Sequence, residues 1–419
     1  MKRLHCDRKC RTRCDWPFLL VAVSALMLLS ACATTPTAAP PTIASEVSEP
    51  GTDEAPAESA GEGEQAETIF ILYTNDFHGA VEPEEGGTGG TSQEGGLVNM
   101  VSLIDQLRAE QPGRTVLLDA GDSFQGTYVS NSTEGKLVMA AMNSAGYDAW
   151  TLGNHEFDWG QEILRARIDQ AAFPALAANI LDATSGELWD AVQPYTIVEA
   201  GRISLGILGL TYPDTPVINR PENVAGLDFQ RAEETVRRYL PELREQADLI
   251  LVLSHLGYDG DLALAQAVDG IDVIVGGHTH TFLERPRQAN GALIVQAGAK
   301  GQVVGRLELT VDVDTGQVVD FSSRNILVPV TEDVAAVNQE VQVLVHEALA
   351  EAAETMNQPI GETAVTLQPQ RTAEIALGNL VVDAKLSANV DGQPADIAMH
   401  NNGAIRTALP NGSVSFGQL

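Results

Sequence analysis

From residue 68 onward, short apolar runs alternate with stretches whose apolar residues recur every three to four positions. Ile69-Phe-Ile-Leu-Tyr73 is continuous and rich in β-formers, the pattern of a strand buried on both faces. Thr115–Leu118, Ala149–Leu152, Leu249–Leu253 and Ile271–Val275 repeat that pattern. Between them, Gly95–Glu110 carries Leu97, Val98, Val101, Ile104 and Leu107 at helical spacing. Leu137–Ala145, Gly160–Ile168 and Phe229–Gln246 read as helices in the same way. Pro174–Ala178, the β-rich pass Tyr195–Leu210, Ala292–Gln296 and Val303–Val311 add further extended segments. Val318–Arg324 returns on the last of these across the turn-like Asp314-Thr-Gly316. Strand and helix in alternation predict a layered α/β domain. A long helix, about Asp333–Met356, follows with Val337, Val341, Val345 and Leu349 on one face. From Ile360 a second unit is expected: strand Thr363–Leu367, helix Glu374–Asn389 and strand Asp396–Met399.

The polar residues are not scattered at random around these runs. Asn75-Asp76-Phe-His78, Gly121-Asp122, Gly153-Asn154-His155-Glu-Phe-Asp158, Ser254-His255 and Gly277-His278-Thr-His280 each follow a strand-like run. Any one of them reads equally well as a turn built from Gly, Asn and Asp. In an extended strand end, residues two apart project to one side, which would converge Asp76 with His78 and His278 with His280. Functional side chains in α/β folds collect at carboxyl ends of strands. The donors are imidazoles and hard oxygens without thiolate, a set that suits Zn, Mn, Fe or Co. They are too many for one ion, whereas two ions sharing a carboxylate can hydrolyse phosphate esters.

Charge and the N-terminus narrow the picture. Asp and Glu number 57 against 25 Lys and Arg, a formal net charge of −32. From Ala33 onward the balance is 55 acidic to 19 basic, a field that repels nucleic-acid polymers. An acidic chain can still hold a small phosphate if metal ions invert the local charge. Lys2, Arg3, Arg8, Lys9, Arg11 and Arg13 precede the apolar stretch Trp16–Ser30, and Leu29-Ser-Ala-Cys32 closes it. This resembles a bacterial lipoprotein signal, with Cys32 lipidated as the first mature residue. The apolar stretch is short of the roughly 20 residues of a membrane span, so a lipid anchor is the expected membrane attachment; the alternative is an uncleaved N-terminal anchor. Either places the folded part outside the cytoplasmic membrane, on the periplasmic or extracellular side. All four cysteines lie in this segment, so no disulfide is expected in the body. Residues 33–67, poor in large apolar side chains, read as a disordered tether.

Taken in order, the five polar motifs resemble those of the calcineurin-like metallophosphoesterases, and more narrowly the bacterial 5′-nucleotidase/UDP-sugar hydrolase family. Glu374-x-x-Leu-Gly-Asn-Leu-Val-Val-Asp383 and Asn401-Asn-Gly-x-Ile-Arg406 resemble the start of that family's C-terminal substrate domain. The resemblance implies a four-layer α/β fold, a β-sandwich flanked by helices, over residues 68–330. A linker helix (331–358) and a truncated α/β substrate-binding domain (359–419) would follow, after a signal peptide (1–32) and the tether. It implies two divalent ions, one on Asp76, His78, Asp122 and His280, the other on Asp122, Asn154, His255 and His278. His155 would stabilise charge on the phosphoryl group or leaving oxygen, Asp158 would orient its imidazole, and a hydroxide between the metals would attack phosphorus in line. Asn401 and Arg406 match nucleotide-holding positions. Some relatives carry an Arg where this chain has Ala373, and Arg371 is the nearby substitute. The family's base-stacking aromatic pair is expected beyond Leu419. The implied reaction is hydrolysis of nucleoside 5′-monophosphates, UDP-sugars or both. Alternatives are a 2′,3′-cyclic-nucleotide phosphodiesterase, a thiosulfohydrolase, and a surface lipoprotein that binds nucleosides or a host protein without turnover.

Overall fold

The computed structural model describes residues 66–85, 93–323, 326–370, 372–390, 393–401, 403, 405 and 407–418. The expected signal segment with Cys32, nearly all of the tether, Arg371 and Arg406 lie outside the described residues. The chain begins with β1 (Ala66–Thr74), α1 (Leu97–Glu110), β2 (Thr115–Asp119), α2 (Lys136–Ala145), β3 (Ala149–Thr151), α3 (Gln161–Gln170) and β4 (Ala175–Leu176). Next come β5 (Tyr195–Ala200), β6 (Ile203–Leu210), α4 (Ala232–Arg244), β7 (Leu249–Ser254), α5 (Tyr258–Ala267) and β8 (Val273–Val275). The remaining strands of this part are β9 (Arg287–Ala289), β10 (Ala292–Val295), β11 (Val303–Asp312), β12 (Gln317–Phe321) and β13 (Leu327–Pro329), before α6 (Gln339–Met356).

The strands form two sheets, ordered β12-β11-β1-β2-β3-β4, with β13 also on β11, and β9-β10-β8-β7-β6-β5. Alternation along each strand explains why they stack. Ile69, Ile71 and Tyr73 of β1 share one buried cluster with Leu249, Leu251 and Leu253 of β7 and Val273 and Val275 of β8. The intervening Leu72 packs instead with Leu97, Val101 and Ile104 of α1. On the other sheet Ile250, Val252 and Ile274 face Val236 and Leu243 of α4 and Leu264 of α5. A period of two, apolar on both faces, therefore makes a helix–sheet–sheet–helix sandwich.

The strands β1, β2, β3 and β4 run parallel, as do β6, β7, β8 and β10. Their carboxyl ends therefore share an edge within each sheet, and every candidate motif follows one of these ends. The sheets approach closely at Gly209 of β6, whose amide oxygen accepts from Ala178 N at 2.8 Å. A Cβ there would overlap the Leu176 side chain and sit 2.6 Å from its carbonyl carbon and oxygen.

Helix α6 starts at Gln339, not near Asp333, because Asn338 caps it by accepting from Val341 N at 3.0 Å. Val341, Val345 and Ala352 pack into the α1–α2 layer, so the helix belongs to the sandwich rather than bridging through solvent. Beyond it, β14 (Pro359–Thr363) pairs with β15 (Gly412–Ser415), and α7 (Ala376–Ser387) lies between them in sequence. The extended segment thus precedes the expected Thr363–Leu367. Asp396–Met399 forms no strand: Ile397 and Met399 are 80% and 83% exposed, so its apolar residues bury against nothing among the described residues. A core of Leu377, Leu409 and Val414 supports this unit.

Gly209→Ala is expected to destabilise the protein by about 1–3 kcal/mol, the cost of overpacking where a neighbouring backbone cannot yield. Urea denaturation of the variant reads this directly; an unchanged midpoint would refute the close approach.

Candidate metal centre

The turns after β1, β2, β3, β7 and β8 bring all nine sequence-derived residues of the catalytic part together. Asp76, His78, Asp122, Asn154 and His255 are buried, while His155, Asp158 and His278 are partly exposed and His280 is exposed. Three groupings of His and Asp side chains place ligand atoms within 4.8 Å of one another. They are Asp76–His78–His280, His78–Asp122–His155, and Asp122–His255–His278.

The convergence arises differently from the expected strand-end projection. Asp76, His78, Asp122, His278 and His280 all have positive φ, between 50° and 74°. For a side-chain-bearing residue that left-handed backbone costs about 1–3 kcal/mol each. The strain is held by hydrogen bonds between turns: Asp76 N to Gly121 O (2.8 Å), His78 N to Asp122 O (3.0 Å) and Lys300 N to Asp76 O (2.8 Å). His278 N donates to both carboxylate oxygens of Asp76, at 3.1 and 2.9 Å. Asn75 braces Asp76 by donating to its Oδ2 (2.7 Å) and to Gly298 O (2.6 Å). Gly153 must be glycine because a Cβ there would overlap the Asp122 carboxylate.

The donor atoms are prepared for a cation. Asp122 Oδ1 accepts from His155 N at 2.8 Å, and its Oδ2 lies 3.0 Å from His255 Nε2. That His255 nitrogen is buried without the alignment of a hydrogen bond, and Asn154 Oδ1 is buried with no partner among the described residues. Burial alone would raise Asp122, yet His255, His155 and His78 hold its carboxyl well below the usual carboxylate range. Burial and the neighbouring His255 push His278 down to about 4, and burial also lowers His78. Both are therefore neutral imidazoles near pH 7, the form that ligates metals. His255 is the exception: burial opposes its charge, but Asp122 draws it up to about 10. A cation at Nε2 would compete with that proton. Its Nδ1 faces Ala120 O at 2.6 Å, which leaves Nε2 to face the centre. Orphaned Asn154 Oδ1, ionised Asp122 and neutral imidazoles fit divalent cations.

His155 stands beside this group, its ring centroid 5.2 Å from that of His78. Its Nδ1 lies 2.7 Å from Asp158 Oδ2, and that carboxylate, with Asp122, lifts the imidazole above its ordinary range against the effect of burial. A cavity of about 460 Å³ opens next to the centre, lined by His78, His280, Lys300, Pro369, Gln370, Gly403 and Ile405. Asn401 does not line it, but its Oδ1 accepts from Gly403 N at 3.0 Å.

Four supporting residues escaped the sequence reading. Glu156 is buried within the third motif and accepts from the backbone N of Asp122 (2.8 Å), Gly153 (2.7 Å) and Ser123 (2.8 Å). Burial and the Asp122 carboxylate push its own carboxyl up to about 8. Its signal was an acid between His155 and Phe157 in the motif that follows β3. Tyr212 stacks on His278 with ring centroids 4.4 Å apart, and Asn219 donates to Asp158. No local motif marks either. Behind His255, Asp261 is buried and accepts from Ser254 Oγ, and burial raises its carboxyl to about 8.

Comparison with known proteins agrees with this geometry. Residues 71–282 match the family model of calcineurin-like phosphoesterases, and residues 351–419 match the 5′-nucleotidase C-terminal domain. A snake venom 5′-nucleotidase of Gloydius brevicauda is 33% identical, over 84% of this chain and 65% of its own. The chain thus spans less than two thirds of that relative's length. A snake venom 5′-nucleotidase of Naja atra is 32% identical, over 84% of this chain and 72% of its own. The crystal structure of a 5′-nucleotidase precursor from Thermus thermophilus superposes with a TM-score of 0.73 at 31% identity, covering 84% of this chain and 72% of that one.

Two outcomes test the supports. Glu156→Ala leaves three buried N–H groups unpaired and is expected to cost at least about 1–3 kcal/mol in denaturant titration; an unaltered stability would contradict the clamp. Asp261 has a folded-state value above the ordinary carboxylate's near 4, so the stability of its protonated form is present at low pH and lost as pH rises towards about 8. Asp261→Asn, neutral at every pH, should flatten the fall of Tm across that window, and an unchanged slope would oppose it.

Proposed function

The chain belongs to the calcineurin-like phosphoesterases and carries sequence of the 5′-nucleotidase C-terminal domain, and on that footing we propose that this phosphoester hydrolase releases phosphate from nucleoside 5′-monophosphates, cleaves UDP-sugars, or does both. The observation that carries the reading is the convergence of the three Asp/His groupings, with Asp122 in two of them. Asp76, His78, Asp122 and His280 would hold one divalent ion; Asp122, Asn154, His255 and His278 would hold a second. Such ions supply positive charge to the phosphoryl oxygens and lower the pKa of water.

The chain's own residues account for the rest. Asp158 accepts from His155 Nδ1 and fixes the ring, leaving Nε2 to face the reacting group. A protonated His155 at that place donates to a phosphoryl or leaving oxygen as negative charge builds there, the task of a positioned general acid. Asn401 and Arg406 hold the nucleotide, Arg406 as a charge-assisted partner, and Arg371 substitutes for the arginine that some relatives carry where this chain has Ala373. The cavity beside His78 and His280 gives the substrate its entry. For the whole protein we infer export and attachment through a lipid on Cys32, with residues 33–67 as a spacer. We read 68–330 as the catalytic part, 331–358 as the linker that holds α6 and 359–419 as the beginning of the substrate-binding part. Among the described residues, no helix is long and apolar enough to cross a membrane.

Phosphate release from a nucleoside 5′-monophosphate is expected to stop on chelation and return with added Mn²⁺, Zn²⁺ or Co²⁺. His155→Ala should lower kcat by about 10²–10⁴-fold with metal content unchanged. Product analysis on a UDP-sugar (UMP and sugar 1-phosphate), a 2′,3′-cyclic nucleotide (a nucleoside monophosphate) and a thiosulfate ester (sulfate and a thiol) separates the substrate classes. Wild-type turnover in the variant, or no turnover of any phosphoester by metal-loaded protein, would overturn the reading.

A further inference from the structure

The segment joining β6 to α4 packs over the centre at two places. At its start Tyr212 stacks on His278 with an interplanar angle of 26°. Seven residues on, Asn219 reaches Asp158. Its Nδ2 donates to Asp158 Oδ1 at 3.1 Å and to the carbonyl of Asn154 at 3.0 Å. The other carboxylate oxygen of Asp158 is the one that faces His155 Nδ1 at 2.7 Å. One amide therefore engages the free end of the carboxylate and the backbone of the residue preceding His155.

The amide is itself held in place. Asn219 Oδ1 accepts from Arg220 N at 2.8 Å and from Asn223 Nδ2 at 3.2 Å. Asn223 Nδ2 also donates to the Asp158 carbonyl at 2.9 Å. With its oxygen occupied by two donors, the side chain of Asn219 has only one amide orientation that satisfies both ends, NH₂ towards Asp158. A carboxylate fixed at both oxygens cannot rotate, so the ring it holds cannot swing.

We propose that Asn219 is a positioning residue that completes a chain His155–Asp158–Asn219, and that the 212–223 segment serves as a strap aligning the imidazole with the substrate phosphoryl. This rests on the role given to His155 above. The strap contributes no ligand and no proton. It acts by restricting Asp158, and it does so from a segment about sixty residues away in sequence, so no motif around His155 encodes it.

The test uses the full chain loaded with Mn²⁺, with a nucleoside 5′-monophosphate and p-nitrophenyl phosphate as substrates. Asn219→Ala should lower kcat by about 10–100-fold, the usual effect of removing an outer-shell partner, with KM little changed. Asn219→Asp has the same shape but presents a carboxylate to Asp158, so it should fall further than the alanine variant although its packing is retained. The loss should be larger for the nucleotide, whose leaving alkoxide needs the aligned imidazole, than for the good p-nitrophenolate leaving group. In an Asp158→Ala background, Asn219→Ala should add nothing, because the two residues act as one unit. Metal content and Tm, read independently of activity, should match those of the parent for Asn219→Asp. Additive losses in the double variant, or an aspartate variant as active as wild type, would overturn the proposal. An inactive parent enzyme would instead count against the role of His155, while an active parent with a silent Asn219→Ala would count against the strap alone.

Discussion

The structure depends on a single turn, Gly121–Asp122, at the carboxyl end of β2. Its carbonyls accept from Asp76 N and His78 N, so the turn after β1 hangs from it. Its Asp122 amide is clamped by Glu156 and its Gly121 amide by Asp119, and its carboxylate accepts from His155 N, so the turn after β3 is tied in as well. Across the gap between sheets, Asp122 Oδ2 meets His255 at the end of β7. Every one of these contacts needs a backbone in the left-handed region at Asp122 and a residue without a Cβ at Gly153. The parallel strands deliver the turns to one edge, but this carboxylate sets the spacing between them.

That geometry also reconciles an acidic chain with an anionic substrate. With 55 acidic and 19 basic residues from Ala33 onward, the long-range field opposes phosphate. The inner donors reverse it locally: an ionised carboxylate, imidazoles held neutral by burial, and an orphaned amide oxygen together attract cations. Cations held there would present positive charge to the cavity beside His78 and His280. On the proposed function, recognition of phosphate would rest on these buried groups rather than on surface charge.

Much of this was legible in the sequence because the core strands are apolar on both faces. Runs such as Leu249–Leu253 read as buried strands of a layered α/β domain, while the sandwich itself was implied only by the family resemblance. The site residues were legible because five polar motifs each follow such a run. The left-handed turns were not, since Asp76 and His78 at spacing two read equally as an extended end; only the hydrogen bonds between turns impose the positive φ. Asp396–Met399 misled in the opposite way, as its apolar residues suggested a strand but have no described surface to cover them. Helix α6 looked like a connector because its apolar face names no partner, and the α1–α2 layer supplies one. Glu156, Tyr212 and Asn219 act on backbone or on other side chains, and such roles appear only when the loops are in place.

We propose that the Asp/His groupings form one dinuclear centre joined by Asp122. Crystals grown with Mn²⁺ and measured for anomalous scattering test it most directly. Two anomalous peaks are predicted, one within Asp76–His78–His280 and one within Asp122–His255–His278, with Asp122 between them and no peak on Glu156 or Asp261. A single peak, or full occupancy of both positions in Asp122→Ala crystals, would contradict it.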